Sequence, residues 1–255
     1  MTAVSLRVFG HLNDFLPYAR RRQTFTLQIE GTPSVKDLIE SVGVPHTEMD
    51  IITANGVSVD FAYLVREADH IEVFPLFSAT TTSPLIHLIP QPPQEMRFIL
   101  DVHLGRLAAY LRMLGFDTAY ENACDDPVLA QRSHDEGRIL LTRDVGLLKR
   151  GVVTRGYFVR ETQPDRQIEE VVRRYALMPK AAPFSRCLRC NAPTVVVLKA
   201  DIKEQLISQV HERYDEFSRC PGCGQIYWKG SHYQHMELLV ARLMSDTAAE
   251  RARHI

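Results

Sequence analysis

Two Cys-x-x-Cys pairs constrain the C-terminal part of this 255-residue chain more than any other feature. A two-residue spacer lets a tight turn aim both sulfurs at one ion, and the Pro-Gly spacer of the second pair suits such a turn. Four soft thiolates without an open position predict a closed, structural zinc site, with redox-active dithiols or a disulfide framework as alternatives. The predicted ligands are Cys187, Cys190, Cys220 and Cys223.

The composition is that of a globular protein, with 45% hydrophobic and 24% charged residues, which excludes a fibrous or broadly disordered chain. The N-terminus lacks the basic start, apolar run and small-residue cleavage site of a secretory signal, and no stretch reaches the length of a membrane span. We therefore expect a cytoplasmic protein without membrane contact, whose thiols stay reduced and available to metal.

The net charge of −1 does not by itself predict a nucleic-acid partner. Residues 1–94 carry six Lys and Arg against ten Asp and Glu, residues 95–180 carry fourteen against thirteen, and residues 181–255 carry ten against eight. Binding of a polyanion is therefore expected in the last two segments.

Residues 1–77 predict a small β-grasp domain, and residues 78–94, rich in Ser, Thr and Pro, predict a linker. Alternating apolar residues predict strands at 4–9 and 24–29, and a last strand is predicted at 71–74. Helical spacing after a Ser cap predicts a helix at 34–42, and Asn-Gly at 55–56 predicts a hairpin turn. This order and length resemble the ubiquitin-like sulfur-carrier family. That family acts through a C-terminal Gly-Gly tail, which is absent from the matching end at 72–77, so a binding or regulatory module, or a stabilising appendage, is favoured over a carrier.

From residue 96 the pattern changes to alternating strands and helices, which predicts an α/β fold with a parallel sheet covered by helices at 95–180. A zinc ribbon at 181–240 and a tail at 241–255 complete the predicted organisation. Strands are predicted at 97–101, 117–120, 138–142 and 152–159, and helices at 103–114, 126–136 and 164–175.

Acidic residues follow the predicted strands. Asp101 and Asp144 come directly after apolar strands, and Asp125 and Asp126 lie in a loop after another. Ligands gather at the carboxyl edge of an open parallel sheet, and crowded carboxylates repel unless a divalent cation neutralises them. An oxygen-only site prefers Mg²⁺ or Mn²⁺, which can activate water against a phosphodiester. The alternative is that Asp126 and Asp144 simply cap helices.

Segments 98–117 and 137–148, the two cysteine pairs and the aromatic stretches 214–217 and 227–232 resemble the Mut-7 C-terminal RNase family. That family has a PIN-like nuclease domain with a zinc ribbon, and residues 1–77 look like the ubiquitin-like domain often joined to it. The resemblance implies metal-dependent RNA cleavage. By this resemblance, Asp101 and Asp144 match the family's strand-end acids, and Asp125 or Asp126 matches its acidic loop. All four are candidate catalytic residues.

This chain departs from the PIN pattern at one place. Another acid usually lies in the helix after the first strand, where this chain has His103 and Arg106. The alternative function is therefore a non-catalytic RNA- or ribosome-binding adaptor of the same fold.

Basic and aromatic side chains near the acids and on the ribbon are candidates for RNA contacts. A solvated charged face is the alternative for the basic residues, and coverage of the zinc knuckle is the alternative for the tryptophan. The expected partners are RNA and a protein that recognises the ubiquitin-like domain. The candidate RNA-binding residues are Arg106, Arg143, Lys149, Arg150, Trp228, Lys229 and His232.

Overall fold

The computed structural model describes residues 2–76, 85–91 and 93–253. The chain divides into two compact units, one formed by Met1–Glu95 with Cys124–Phe158 and the other by Met96–Ala123 with Val159–Ile255. Residues 78–84 and 92 of the predicted linker lie outside the described residues, as do residues 1 and 77 of the predicted β-grasp domain and the last two residues of the predicted tail. The domain boundaries drawn from the sequence stay predictions.

The first unit contains a five-stranded sheet in the order β2-β1-β5-β3-β4. Strands β1 and β5 are parallel, and the other neighbours are antiparallel. This arrangement confirms the predicted β-grasp. Its strands are β1 (Thr2–Val8), β2 (Phe25–Ile29), β3 (Ile51–Ala54), β4 (Val57–Val59) and β5 (His70–Phe74).

Local sequence accounts for these elements. Val4, Leu6 and Val8 alternate along β1 and are buried against helix α1 (Val35–Ser41) and the strands beside it. The hydroxyl of Ser34 accepts the backbone N–H of Asp37 at 3.1 Å, as an N-cap should. Between β3 and β4, Asn55 and Gly56 have φ of 52° and 79°, the positive values that a type I′ hairpin turn needs.

The rest of the first unit contains α3 (Asp126–Asp135), β8 (Ile139–Thr142), α4 (Val145–Leu148) and β9 (Gly156–Phe158). Strands β8 and β9 are parallel, and all four residues of β8 are buried, as in parallel sheets covered on both faces. The predicted strand at 152–159 is shorter in the structure because the backbone N–H of Val153 turns back to Arg150 O at 2.9 Å.

Within the first unit, hydrogen bonds join the β-grasp domain to the segment that contains β8 and β9. The carboxylate of Glu48, which is 1% exposed, accepts the backbone N–H of Phe158 at 2.6 Å. The Lys149 ammonium donates to the Glu40 carbonyl at 2.6 Å, and His46 Nε2 lies 2.8 Å from the Val153 carbonyl. The ubiquitin-like domain is therefore bonded to this segment rather than tethered loosely.

The second unit contains the parallel strands β6 (Arg97–Leu100) and β7 (Asp117–Ala119), with helices α2 (Gly105–Met113) and α5 (Pro164–Tyr175). The Phe98 ring on β6 packs edge-on against Phe116 and Tyr175. With β8 and β9, these elements confirm the predicted α/β fold with a parallel sheet and helices.

The ribbon has an antiparallel sheet in the order β10-β11-β12 and a small core of Ile202, Val210 and Phe217. No helix among the described residues is long and apolar enough to cross a membrane. The ribbon elements are β10 (Val195–Val197), α6 (Lys199–Ile202), α7 (Ser208–Arg213), β11 (Phe217–Arg219) and β12 (Ile226–Trp228), followed by α8 (Ser231–Arg253). Short 3-10 helices lie at Gly10–Phe15, Tyr18–Arg20, His46–Glu48, Val102–Leu104, Met178–Lys180 and Lys203–Gln205.

Candidate metal centre and strand-end aspartates

The four cysteines of the two Cys-x-x-Cys pairs come together. Their sulfurs lie within 4.8 Å of one another, with 3.5 Å between Cys187 and Cys223 and 3.3 Å between Cys190 and Cys220. Four thiolates at about 2.3 Å from a tetrahedral ion are roughly 3.8 Å apart, so a small relaxation accommodates zinc. Among the described residues, this is the group of three or more His, Cys, Asp or Glu side chains that can hold one ion. The cluster is compatible with zinc.

The thiols influence each other's protonation. Burial raises the pKa of Cys187, but hydrogen bonds from the Tyr227 hydroxyl, from backbone N–H groups and from Cys223 outweigh it and lower that pKa to about 6. The Ala192 N–H favours the Cys190 thiolate, yet burial and the neighbouring cysteines raise the pKa of Cys190 to about 12. Four thiolates this close cannot all ionise without a cation, which is what a metal-binding cluster requires.

Tyr227 supports the metal centre in a way that the sequence did not reveal. Its hydroxyl lies 3.1 Å from Cys187 Sγ and accepts the backbone N–H of Leu188 at 3.0 Å. Burial and the Cys187 thiolate raise the pKa of Tyr227, so the hydroxyl stays a donor to the sulfur. Groups of this kind orient metal ligands. A tyrosine four residues after the last cysteine was the available signal, but this spacing alone does not predict its contact with Cys187.

Arg112 connects α2 to the first cysteine pair and was also missed. Its guanidinium is 5% exposed and donates to the carbonyls of Thr118 at 2.9 Å, Leu188 at 3.0 Å and Arg189 at 2.9 Å. Burial lowers the pKa of Arg112, while the nearby thiolates Cys187 and Cys190 raise it. Its sequence signal was a charged residue between buried apolar neighbours on a helix.

Asp101 lies at the carboxyl end of β6 in the second unit. Its side chain is 5% exposed, and its Oδ1 accepts the backbone N–H of His103 at 2.8 Å. After it, His103 in the 3-10 helix and Arg106 at the start of α2 are exposed. Arg106 bonds to the Tyr110 hydroxyl, which donates to Asp165 Oδ1 at 2.7 Å. Asp101 is therefore buried near the start of α2, where Arg106 is exposed.

The other three acids belong to the first unit. Asp144 is exposed at the end of β8, where its Oδ1 accepts the N–H groups of Gly146 at 2.6 Å and Leu147 at 3.3 Å, so the capping role is confirmed. The cap of α3 was expected at Asp126, but the structure places Asp125 there, without a side-chain capping bond, because Asp126 already has helical geometry. The convergence of Asp101, Asp125, Asp126 and Asp144 on one cation stays a prediction.

The candidate RNA-binding residues lie in varied surroundings. Arg150 is exposed, and the Arg143 guanidinium lies 6.0 Å from the Phe158 ring centre. The Lys149 ammonium already donates a hydrogen bond to the Glu40 carbonyl. On the ribbon, Trp228 is 37% exposed, and Lys229 pairs with Glu216 at 2.6 Å. Three of the candidates line a cavity of about 760 Å³ together with Phe184 and Tyr233, namely Trp228, Lys229 and His232.

Comparison with known sequences agrees with this organisation. The Mut7-C RNAse domain family matches residues 96–240, and the Mut7-C ubiquitin family matches residues 1–81. No curated protein matches the chain with statistical significance. A solved structure, the putative molybdopterin converting factor, subunit 1, from Pyrococcus furiosus, is 20% identical over 29% of this chain and 98% of its own, with a TM-score of 0.24, which is too low to support an argument.

The RNAse-family match spans 145 of the 255 residues, includes all four clustered cysteines and begins directly before β6. The ubiquitin match covers the β-grasp sheet that precedes it. The chain therefore belongs to the Mut7-C RNAse domain family and carries a Mut7-C ubiquitin domain at its N-terminal end.

Proposed function

We propose that this protein is a ribonuclease that hydrolyses RNA phosphodiester bonds with Mg²⁺ or Mn²⁺ held by Asp101, Asp144 and the loop of Asp125 and Asp126. Membership of an RNAse family supports the reaction class. A divalent ion at such a site activates a water molecule and stabilises the leaving oxygen. The protein acts in the cytoplasm on RNA, and a protein partner binds its ubiquitin-like domain.

The buried carboxylate of Asp101 is the observation that carries this proposal. It is 5% exposed and directly follows Phe98, Ile99 and Leu100, which are all fully buried. Burying a carboxylate costs free energy that donors or a cation must offset. The backbone N–H of His103 and other contacts of Asp101 offset part of this cost. A divalent cation at the strand end would stabilise the carboxylate further.

Residues around the acids are proposed to hold the RNA. Arg106 is exposed at the start of α2 and suits a phosphate contact, as do Arg143 and Arg150 in the first unit. Lys149 joins them if it exchanges the Glu40 carbonyl for a phosphate. The ribbon, held by zinc on its four cysteines, offers Trp228, Lys229 and His232 for stacking and charge contacts with single-stranded RNA.

The central experiment is cleavage of an end-labelled single-stranded RNA by the zinc-loaded full chain with Mg²⁺, with Mn²⁺ and without added metal. We expect cleavage that depends on the added metal and that Asp101→Asn lowers at least about a hundredfold, or roughly 2.7 kcal/mol of transition-state stabilisation. The matched control is Asp201→Asn, an exposed aspartate on α6, which should cleave normally. Undiminished cleavage by Asp101→Asn would contradict the proposal.

Titration with Mn²⁺ followed by electron paramagnetic resonance tests whether the acids share one ion. Asp101→Asn and Asp144→Asn should each remove the same tight site. If each single variant keeps it, the acids do not act together. If the wild-type chain binds RNA but forms no product with either metal, the protein is the RNA-binding adaptor to which His103 and Arg106 point.

A further inference from the structure

A compact basic segment lies on the ubiquitin-like domain, at Tyr18–Arg22. The domain is acidic as a whole, with six Lys and Arg against ten Asp and Glu in residues 1–94, and three of those six positive charges are consecutive. The net negative charge of residues 1–94 therefore coexists with a local positive excess at residues 20–22. Tyr18 is 89% exposed, the largest exposure among the exposed large hydrophobic residues that the structure describes.

The three arginines have no acidic partner among the described residues. Arg20 lies over the Phe25 ring at 5.1 Å, and Arg21 donates to the backbone carbonyls of Leu16 at 2.9 Å and Asp14 at 3.3 Å. Neither contact neutralises a full positive charge. The Arg22 side chain is exposed. Their fields therefore add at one place on the surface, where an anion would be attracted.

The last residue of the segment, Arg22, has an unfavourable backbone conformation. Arg22 has φ of 59°, a region that glycine and asparagine adopt far more readily than arginine. The Arg22 N–H donates to Asn13 Oδ1 at 2.6 Å, and Asn13 is 6% exposed and donates in turn to the carbonyls of Val8 and Gly10. A glycine would satisfy this turn better, so the arginine side chain is held at this surface position at a conformational cost.

We propose that Tyr18–Arg22 binds single-stranded RNA, with the arginines on phosphates and the Tyr18 ring stacked on a base. Charge complementarity favours a polyanion, and an exposed aromatic ring two residues from a cluster of cations is a surface that stacks unpaired bases. An acidic protein would satisfy the arginines but gives no reason for the exposed ring. The proposal rests on the proposed function for its choice of RNA, and it adds a binding surface outside the aspartates and the ribbon.

Arg22→Gly separates binding from folding because it removes one charge and relieves the left-handed backbone. We expect the melting temperature to hold or rise while affinity for a fluorescein-labelled single-stranded RNA falls about threefold or more. The salt dependence of binding should become shallower by roughly 0.7 in log–log slope, as for one lost phosphate contact. Arg66→Gln removes an exposed arginine elsewhere on the same domain and is the matched control, with unchanged affinity.

Tyr18→Ala tests the stacking contact. It should lower the affinity for single-stranded RNA about tenfold and leave that for duplex RNA nearly unchanged, and Tyr18→Phe should restore binding. All measurements use the zinc-loaded full chain without added Mg²⁺ or Mn²⁺. Equal RNA affinity of Arg22→Gly, Tyr18→Ala and wild type would overturn the proposal. A polyglutamate peptide that competes fully with RNA, and that binds Tyr18→Ala as well as wild type, would also overturn it. That result would indicate a surface for an acidic protein.

Failure here is distinguishable from failure of the proposed nuclease. Binding is measured without catalytic metal, whereas cleavage is measured at saturating RNA with Mg²⁺ or Mn²⁺. Loss of binding in Tyr18→Ala with normal saturated cleavage supports this surface, and persistent cleavage in Asp101→Asn contradicts only the catalytic assignment.

Discussion

The ubiquitin-like domain and the ribbon are both small, yet different forces hold them together. The first buries sixteen hydrophobic side chains of the described residues in one cluster, whereas the corresponding ribbon cluster has three, Ile202, Val210 and Phe217. Small domains that cannot bury enough apolar area need a metal or disulfides. We therefore expect a metal bound by the four cysteines to stabilise the ribbon in place of a large hydrophobic core. Metal removal should destabilise the ribbon, and core truncation should destabilise the ubiquitin-like domain.

The largest expected effect is loss of the metal. Cys220 is fully buried, and Cys220→Ser should reduce bound zinc from one equivalent to nearly none and unfold the ribbon. Structural zinc sites contribute about 10–16 kcal/mol of apparent binding free energy, far more than three buried side chains can replace. Zinc analysis and hydrogen exchange of peptides from 187–228 measure the outcome.

The control for this variant is Cys124→Ser, which lies outside the cluster. Hydrogen exchange in β1 and β5 should not change in either variant, because the clustered cysteines lie outside the β-grasp core. If the ribbon stays protected from hydrogen exchange after Cys220→Ser, its packing holds the fold without zinc. The proposed difference between the two regions would then be wrong.

The next largest effect is core truncation in the ubiquitin-like domain. Leu6 is fully buried at the centre of β1, and Leu6→Ala should lower the free energy of unfolding by about 2–5 kcal/mol. Val196→Ala on the ribbon, where the side chain is 86% exposed, should cost less than about 0.5 kcal/mol. Trp228 is the single tryptophan, so its fluorescence reports the ribbon separately from the circular dichroism of the whole chain.

A smaller effect is expected at the tyrosine that supports the metal. Tyr227→Phe keeps the ring but removes the hydroxyl contacts to Cys187 Sγ and Leu188 N–H. Zinc affinity, measured by competition with a chromophoric chelator, should fall about 10- to 100-fold. The matched control is Tyr214→Phe on the same ribbon, whose hydroxyl makes no hydrogen bond to a described residue. Equal affinities for the two variants would show that the Tyr227 hydroxyl does not tune the site.

Features encoded locally were predictable from the sequence, and long-range contacts were not. The Ser34 cap, the Asn55-Gly56 turn and the two cysteine pairs each depend on a few neighbouring residues, and the structure has all of them. The contact of Arg112 with Leu188 spans 76 residues and that of Tyr227 with Cys187 spans 40, so no local pattern encodes either. The same reason applies to the aspartates, whose strand-end positions are local but whose shared ligand depends on tertiary structure.

The smallest expected effect concerns pH and again separates the two regions. Burial raises the pKa of Asp69, which is 3% exposed, but the Arg66 N–H, the Asn55 amide and the Tyr63 hydroxyl outweigh it and hold that pKa below its ordinary value of 3.8. Because the folded-state pKa is depressed, the stabilisation is complete above that ordinary value and is lost as the pH falls below it.

Acid should therefore weaken the β-grasp domain through Asp69 and the ribbon through protonation of its thiolates, and only the first effect should depend on residue 69. Between pH 5 and 3, the unfolding free energy of the wild-type β-grasp should fall by more than that of Asp69→Asn, with an upper limit of about 1 kcal/mol for the difference. Asp60→Asn, at an exposed position, serves as control. The pH of zinc release should be the same in all three proteins, and a shift in Asp69→Asn would mean that the two regions do not respond to acid independently.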